Sequence, residues 1–576
     1  MKSRRPAARA ALAGLAGIVA LATVAVAGVA LTRYSLRDMT PLAGAAQAGR
    51  GRGAAAGQGP GNGARGGRGA ATGPGTLAAA TRPGRDGIQA QWVMAENKRL
   101  GTTAWRIRHP KGNIAGFANR TYARQGQRVT LYVTTAAAAF RAEAFRMGYY
   151  QGKGARLIWQ SAEIAGQLQP ACPVTAGINM VSCDNWRPSV TFSVSAAFVP
   201  GDYLIKLVGS GGQQSYVPLT VWDPSSTATY VVQNDALTWQ AWNPWGGYDY
   251  YQGPGTCPAG EYPLCSRARV VSFDRPYSAG RGSGSFLKLE YPLVRFAEKH
   301  GLDVTYATDV AIARHPRFLL RHRTLLSLGS DECWSLAGRM AAVAAHDRGM
   351  NIVFFGASPI LRHVRLRNSP LGPAREEVDY RDARADPLAG KGRPLQVTGN
   401  TWGSPPANWP ESDFVGEMYA GFLEPGEHVG LVVADASSWV YQGTGLRDGS
   451  VVPGVIGSNV DHFYAAMIHP ANVQVLAHSP IPAGMGQTDI GAFYSDMTYY
   501  TDSRGSGGVL DTGTTNWIPA LGHDHSGCGA GGQPAGAHCA SAVIRRITGN
   551  ILRAFGGGPA GRLHPSLANW QRITGQ

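Results

Sequence analysis

Between residues 91 and 225 several short segments alternate apolar and polar side chains with a period of two: Val129, Leu131 and Val133; Val190, Phe192 and Val194; Tyr203, Ile205 and Leu207. Successive side chains of an extended strand point to opposite faces, so this alternation predicts half-buried antiparallel strands. With further strand-like runs at 140–147, 157–160 and 216–222, the region predicts a β-sandwich. Near Thr227 the pattern changes. Strand-like runs at 230–233, 304–306, 324–330 and 351–355 alternate with helix-like segments at 286–300, 314–322 and 336–347. That alternation implies parallel βαβ units in a Rossmann-like, doubly wound α/β domain, whose ligand crevice lies at the carboxyl ends of the strands. A long insertion follows Pro370, with β-like runs at 429–433 and 473–477. The segment 491–532 is rich in Gly, Thr and aromatics and takes no firm assignment, and 542–555 is helix-like.

The expected organisation is therefore an export signal or membrane anchor (1–32), a Gly/Ala/Arg-rich disordered linker (33–90), the sandwich (91–225), the α/β domain (226–560) and a tail (561–576). A basic head with Lys2, Arg4, Arg5 and Arg9 precedes an apolar run from Ala11 to Leu31, the layout of an export signal and also long enough for a span. The net charge of +17 is concentrated there: the first 90 residues hold 12 Lys and Arg against 2 Asp. The folded part is only mildly basic, and no nucleic-acid-binding motif is present. The linker's arginines either bind anionic envelope polymers or lipid head groups, or merely solvate a spacer. Of seven cysteines, six fall into close pairs: Cys172 with Cys183, Cys257 with Cys265, and Cys528 with Cys539. Short-loop disulfides persist in oxidising compartments, which agrees with export, and Cys333 is left as a free thiol.

Asp331, Glu332 and Cys333 follow the run 324–330 directly, at an expected strand-to-helix turn. Asp331 and Glu332 are the candidate catalytic carboxylates. A plainer reading has one of them cap the next helix and Cys333 fill a buried apolar site. Two functional readings compete with it: a thiol nucleophile activated at a helix N-terminus, or a metal ligand beside a carboxylate. Tyr291 lies opposite the Phe286, Leu289, Leu293, Phe296 stripe of its helix, aimed either into a second packed layer or into a site. The stretch 238–251 supplies Trp239, Trp242, Trp245 and Tyr248 as a pocket wall, or as core. His523, His525, Cys528, His538 and Cys539 carry zinc-type donors, but the spacing of the two cysteines favours a disulfide loop.

Seven ordered segments resemble the large (β) subunit family of N,N-dimethylformamidase: FRMGYYQGKGAR (145–156), TWQAWNPWGG (238–247), VSFDRPY (271–277), FLKLEYPLVRFAEKHGLDVTYATD (286–309), SLGSDECWS (327–335), NWPES (408–412) and GTTNW (513–517). The resemblance implies a sandwich joined to an α/β domain, and a mononuclear iron amide hydrolase whose ferric ion is held by two phenolates and one glutamate. By motif, one phenolate falls on Tyr291 and the carboxylate on Glu411. The second belongs where this chain has Cys333, since the family reads HDEYW and this chain SDECW. A shorter, softer sulfur donor can ligate iron or prefer zinc, and Ser330 replaces a nearby histidine. Two functions are therefore expected as alternatives: an exported metal-dependent hydrolase of a small amide, or a non-enzymatic protein that binds a cell-envelope polymer on an inherited hydrolase fold. Neither a small second subunit nor homo-oligomerisation is specified by the sequence.

Overall fold

A computed structural model describes residues 80–255, 257, 265–486, 493–502, 507–522 and 540–576. The expected signal or anchor and the Cys528/Cys539 pair, with its neighbouring histidines, lie outside the described residues. Among the described residues no helix is long and apolar enough to cross a membrane. The two other cysteine pairs are disulfides, and Cys333 is free and buried.

The alternating segments become strands β1 (Ile114–Ala118), β2 (Arg128–Thr135), β3 (Ala139–Met147), β4 (Ala155–Gln160), β5 (Val190–Ser193), β6 (Gly201–Gly209) and β7 (Gln214–Val221). One sheet has the order β5-β2-β1, and the other runs β7-β6-β3-β4. Their inward-facing residues, among them Val129, Leu131, Val133, Ala142, Ala144, Ile205, Leu207, Val217 and Leu219, form one apolar cluster. The period of two thus delivers one face of each strand to a shared core.

The remainder is a mixed α/β fold on a seven-stranded sheet: β8 (Tyr230–Asn234), β9 (Val304–Thr308), β10 (Thr324–Gly329), β11 (Asn351–Gly356), β12 (Gln474–Ile481), β13 (Phe493–Thr501) and β14 (Gly508–Asp511). Its order is β9-β8-β10-β11-β14-β13-β12; the first five strands run parallel, and β13 runs antiparallel to both β14 and β12. Helices α1 (Ala236–Ala241), α2 (Tyr291–Lys299), α3 (Asp309–Arg314), α4 (Leu336–His346), α5 (Trp517–Gly522) and α6 (Ala540–Gly557) accompany it.

Two expected helices are broken. The 286–300 segment splits at Glu290, before Pro292 in the first turn of α2, and the 314–322 segment is a short α3 followed by a 3-10 turn that opens on Pro316. The expected linker is also too long, because Thr81–Gly84 and Gly87–Ala90 form an antiparallel hairpin. The tail carries helices Ala560–Leu563 and Trp570–Thr574, and Trp570 packs against the core. Residues Thr76–Gln576 make one compact unit, and one apolar cluster joins Phe145 and Leu204 of the sandwich to Leu325 and Val353 of the parallel strands.

Candidate active site

The turn after β10 differs from the expected strand-to-helix elbow. Cys333–Ser335 is a short strand paired with Arg362–Ser369, and Ser335 caps α4 by accepting from the Gly338 amide. Neither Asp331 nor Glu332 is a helix cap, and Cys333 is not at a helix N-terminus. Burial, with Glu377 and Glu332 as neighbours, pushes its thiol well above the ordinary range, so it is not an activated nucleophile.

Asp331 is buried and accepts hydrogen bonds from Ser327 Oγ at 2.7 Å and Gln233 Nε2 at 2.5 Å. It ties β8 to β10, and burial raises its carboxyl to about 7. Beneath it, Glu290 accepts from Asn234 Nδ2 at 2.6 Å and Trp239 Nε1 at 2.8 Å, and burial together with Glu290 keeps Asp235 protonated.

Glu332 has a different setting. Tyr251 donates to Oε2 at 2.6 Å and Trp242 Nε1 at 3.3 Å, while Ser330 Oγ and Asn459 Nδ2 reach Oε1, each at 3.2 Å. Trp242 stacks on Tyr251 with ring centres 3.6 Å apart and remains 45% exposed, so this carboxylate lies next to solvent-facing aromatic surface. Arg362 and Arg381 also lie over the Tyr251 ring, at 5.8 and 5.2 Å from its centre. Burial and Glu332 hold the Tyr251 phenol well above its usual range, so it donates its proton to the carboxylate at neutral pH.

Of the ligand set implied by the resemblance, Tyr291 is spent elsewhere, whereas one buried oxygen of Glu411 has no hydrogen-bond partner. Tyr291 donates to the carbonyls of Gly154 at 2.7 Å and Gly148 at 3.2 Å, both in a sandwich turn, and packs on Trp105 and Phe286. Its phenol keeps its proton because burial raises it far above the ordinary value. Glu411 is buried and raised to about 7 by that burial, with Arg339 and Arg362 as its nearest cations. Cys333 and Glu411 thus share Arg362 as a neighbour. With its phenol committed to two sandwich carbonyls, Tyr291 is not offered to a ferric ion as the resemblance implies. Of the expected pocket aromatics, Trp242 borders Glu332. Trp239 bonds to Glu290, Trp245 packs beside Phe117 and Trp186, and Tyr248 is partly buried against the main core.

Sequence reasoning missed Tyr251 as the closest partner of Glu332, although it ends the aromatic stretch, and missed Asn459. It also missed the two groups of donors that among the described residues lie close enough to share an ion: His462, His478 and Asp496; and His346, Asp347 and Asp502.

The family described as N,N-dimethylformamidase beta subunit-like, C-terminal, matches residues 141–530, more than half of the chain. The chain belongs to that family. The span shared with the N,N-dimethylformamidase beta subunit-like family begins inside β3 and takes in Tyr291, Glu332, Cys333, Glu411 and all six residues of the two donor groups. No curated protein matches the chain. A solved cycloisomaltooligosaccharide glucanotransferase from Paenibacillus sp., complexed with cycloisomaltoheptaose, shares 12% identity over 21% of this chain and 16% of that chain, with a TM-score of 0.13. An overlap that slight carries no argument about fold or chemistry.

Proposed function

We propose that this chain is an exported amide hydrolase whose reaction centre lies over Glu332, at the carboxyl end of β10 in a doubly wound sheet. The observation that supports it is the convergence of Tyr251, Trp242, Ser330 and Asn459 on one carboxylate beside the exposed face of Trp242. A small planar amide lies against the indole. Asn459 and Ser330 then donate to its carbonyl oxygen, where negative charge develops. Glu332 accepts a proton from the attacking water at the position now filled by its longest hydrogen bond, that from Trp242. The C–N bond breaks as that proton passes to the nitrogen, so water and amide become carboxylic acid and amine. Export is supported by the two disulfides together with the basic, apolar N-terminal pattern.

Amine release from a panel of small amides tests this reading. The full-length chain should turn over at least one of them, and Glu332→Gln should slow it by about a hundredfold or more. Equal rates for the two proteins would remove Glu332 from the chemistry. A second reading, a non-enzymatic protein that binds a cell-envelope polymer, is favoured by one observation: the Tyr291 phenol is engaged with two sandwich carbonyls and not held out for an ion. Binding of wall polymer that survives Glu332→Gln, with no amine released by either protein, would select it.

A further inference from the structure

His478 on β12 and Asp496 on β13 are direct cross-strand partners, so the pleat puts both side chains on one face of the sheet. The strand Asn459–His462 packs on β13 and brings His462 to the same point. The three side chains meet there: His462 Nδ1 lies 2.5 Å from one oxygen of Asp496, and His478 Nδ1 lies 2.6 Å from the other. Tyr494, two residues before Asp496, stacks on the His478 ring with centres 4.0 Å apart and fixes its plane. The Phe463 amide also donates to Asp496, at 3.0 Å.

We propose that His462, His478 and Asp496 bind one divalent transition-metal ion of the zinc class. Two imidazole nitrogens and one carboxylate oxygen are the donor chemistry of such ions, whereas calcium and magnesium require oxygen ligands. All three donor atoms lie within 4.8 Å of one another, and bonds of about 2.0 to 2.2 Å from each to a central ion need only that the two close contacts open slightly. Asp496 is 1% exposed, and among the described residues its ion-pair partners are the two histidines, with no lysine or arginine. Glu417, Asp461 and Asp511 lie close by as further buried carboxylates, so the surroundings are short of positive charge.

Binding through Nδ1 requires each imidazole to carry its proton on Nε2. His462 Nε2 lies 3.3 Å from Gln576 Nε2, and that amide must give up its bonds from the Ala465 amide and to the Phe463 carbonyl before its oxygen can accept the proton. Three protein ligands leave a fourth position of a tetrahedral ion open, and the His478 side chain, 17% exposed, marks the approach from solvent.

Zinc titration of the chelator-treated full-length chain by calorimetry, with cobalt absorption as a second readout, tests the site. One equivalent should bind, and His478→Ala should weaken it by at least about tenfold, a loss that even changes to groups hydrogen-bonded to a ligand can produce. The double variant His462→Ala/His478→Ala should lose the equivalent altogether while its apo circular dichroism matches wild type. Glu332→Gln should retain it, which separates this site from the proposed reaction centre. Stoichiometric zinc in the double variant would assign the ion to other ligands and overturn the proposal. So would the absence of binding in a folded wild-type chain.

Discussion

Asp202 of β6 sits where the sandwich meets the parallel sheet, and its environment sets a pH dependence. Its carboxyl accepts from Thr220 Oγ1 at 3.2 Å and from Asn234 Nδ2 at 3.3 Å. Burial, reinforced by the neighbouring Glu290, nevertheless raises it to about 8. An unfolded aspartate titrates near 3.9. Between those values the folded chain binds the extra proton, so stability falls as pH rises through this window, by up to about 1.4 kcal/mol per pH unit. Asp202→Asn removes the titration and keeps most of the shape. Urea midpoints of the two proteins should therefore diverge from about pH 4 to about pH 8, the asparagine variant gaining relative to wild type. A stability difference independent of pH would show that Asp202 is ionised in the folded chain. At this scale the sequence was informative about residue type and poor on partners: it singled out Glu332 and Cys333, but nothing local distinguishes a carboxylate that meets Tyr251 from a thiol walled in by Glu377.

Elements were legible where apolar side chains alternate or run unbroken between helix-like segments, as in the fully buried β8 to β11. β2 and β5 lie within two residues of their expected ends because alternation survives in them, and so does β6, whose Tyr203, Ile205 and Leu207 alternate in sequence although nearly the whole strand is buried. β13 is buried along nearly its whole length yet carries Ser495, Asp496, Thr498 and Thr501, so it shows neither alternation nor an apolar run, and the 491–532 segment resisted assignment for that reason. The His462, His478, Asp496 group depends on that missed strand, since the β12–β13 register sets His478 opposite Asp496 and the strand Asn459–His462 packs on β13. The hairpin 81–90 was hidden by composition, being the last part of a Gly- and Arg-rich run. Its hold is specific: the Ile88 amide donates to Tyr230 Oη at 3.0 Å, and the Tyr230 hydroxyl donates to the Leu552 carbonyl at 2.7 Å, linking hairpin, β8 and α6. A chain beginning at Ala80 should match the full-length melting temperature, whereas one beginning at Gln91 should melt lower, since it strips partners from buried groups worth about 1–3 kcal/mol each. Equal melting of the two truncated chains would make the hairpin an ornament.

On the scale of the molecule the two-part organisation seen in the sequence is one of topology and not of stability. Arg146 of β3 and Glu298 of α2, both fully buried, pair at 2.7 Å; Arg146 also donates to Tyr150 Oη at 3.0 Å and to the Pro200 carbonyl at 2.9 Å, and Tyr306 of β9 donates to Glu298 at 2.6 Å. Across the same boundary Arg375 pairs with Asp274 at 2.7 Å while donating to the Ala118 carbonyl of β1. A buried charge left without its partner costs about 3–5 kcal/mol, a large fraction of the about 5–15 kcal/mol that holds a typical fold. Glu298→Gln leaves Arg146 as that unpaired charge. The loss belongs to neither half alone, because the guanidinium lies in the sandwich and the carboxylate under the parallel strands. Hydrogen exchange followed by mass spectrometry should show β2, β6 and β7 losing protection in step with β8 and β10 in this variant, and denaturant should unfold both sets at one lowered midpoint. If the sandwich strands kept wild-type protection while the parallel strands opened, the pair would be a local contact, and the apolar cluster that spans the boundary would be two cores in mere contact.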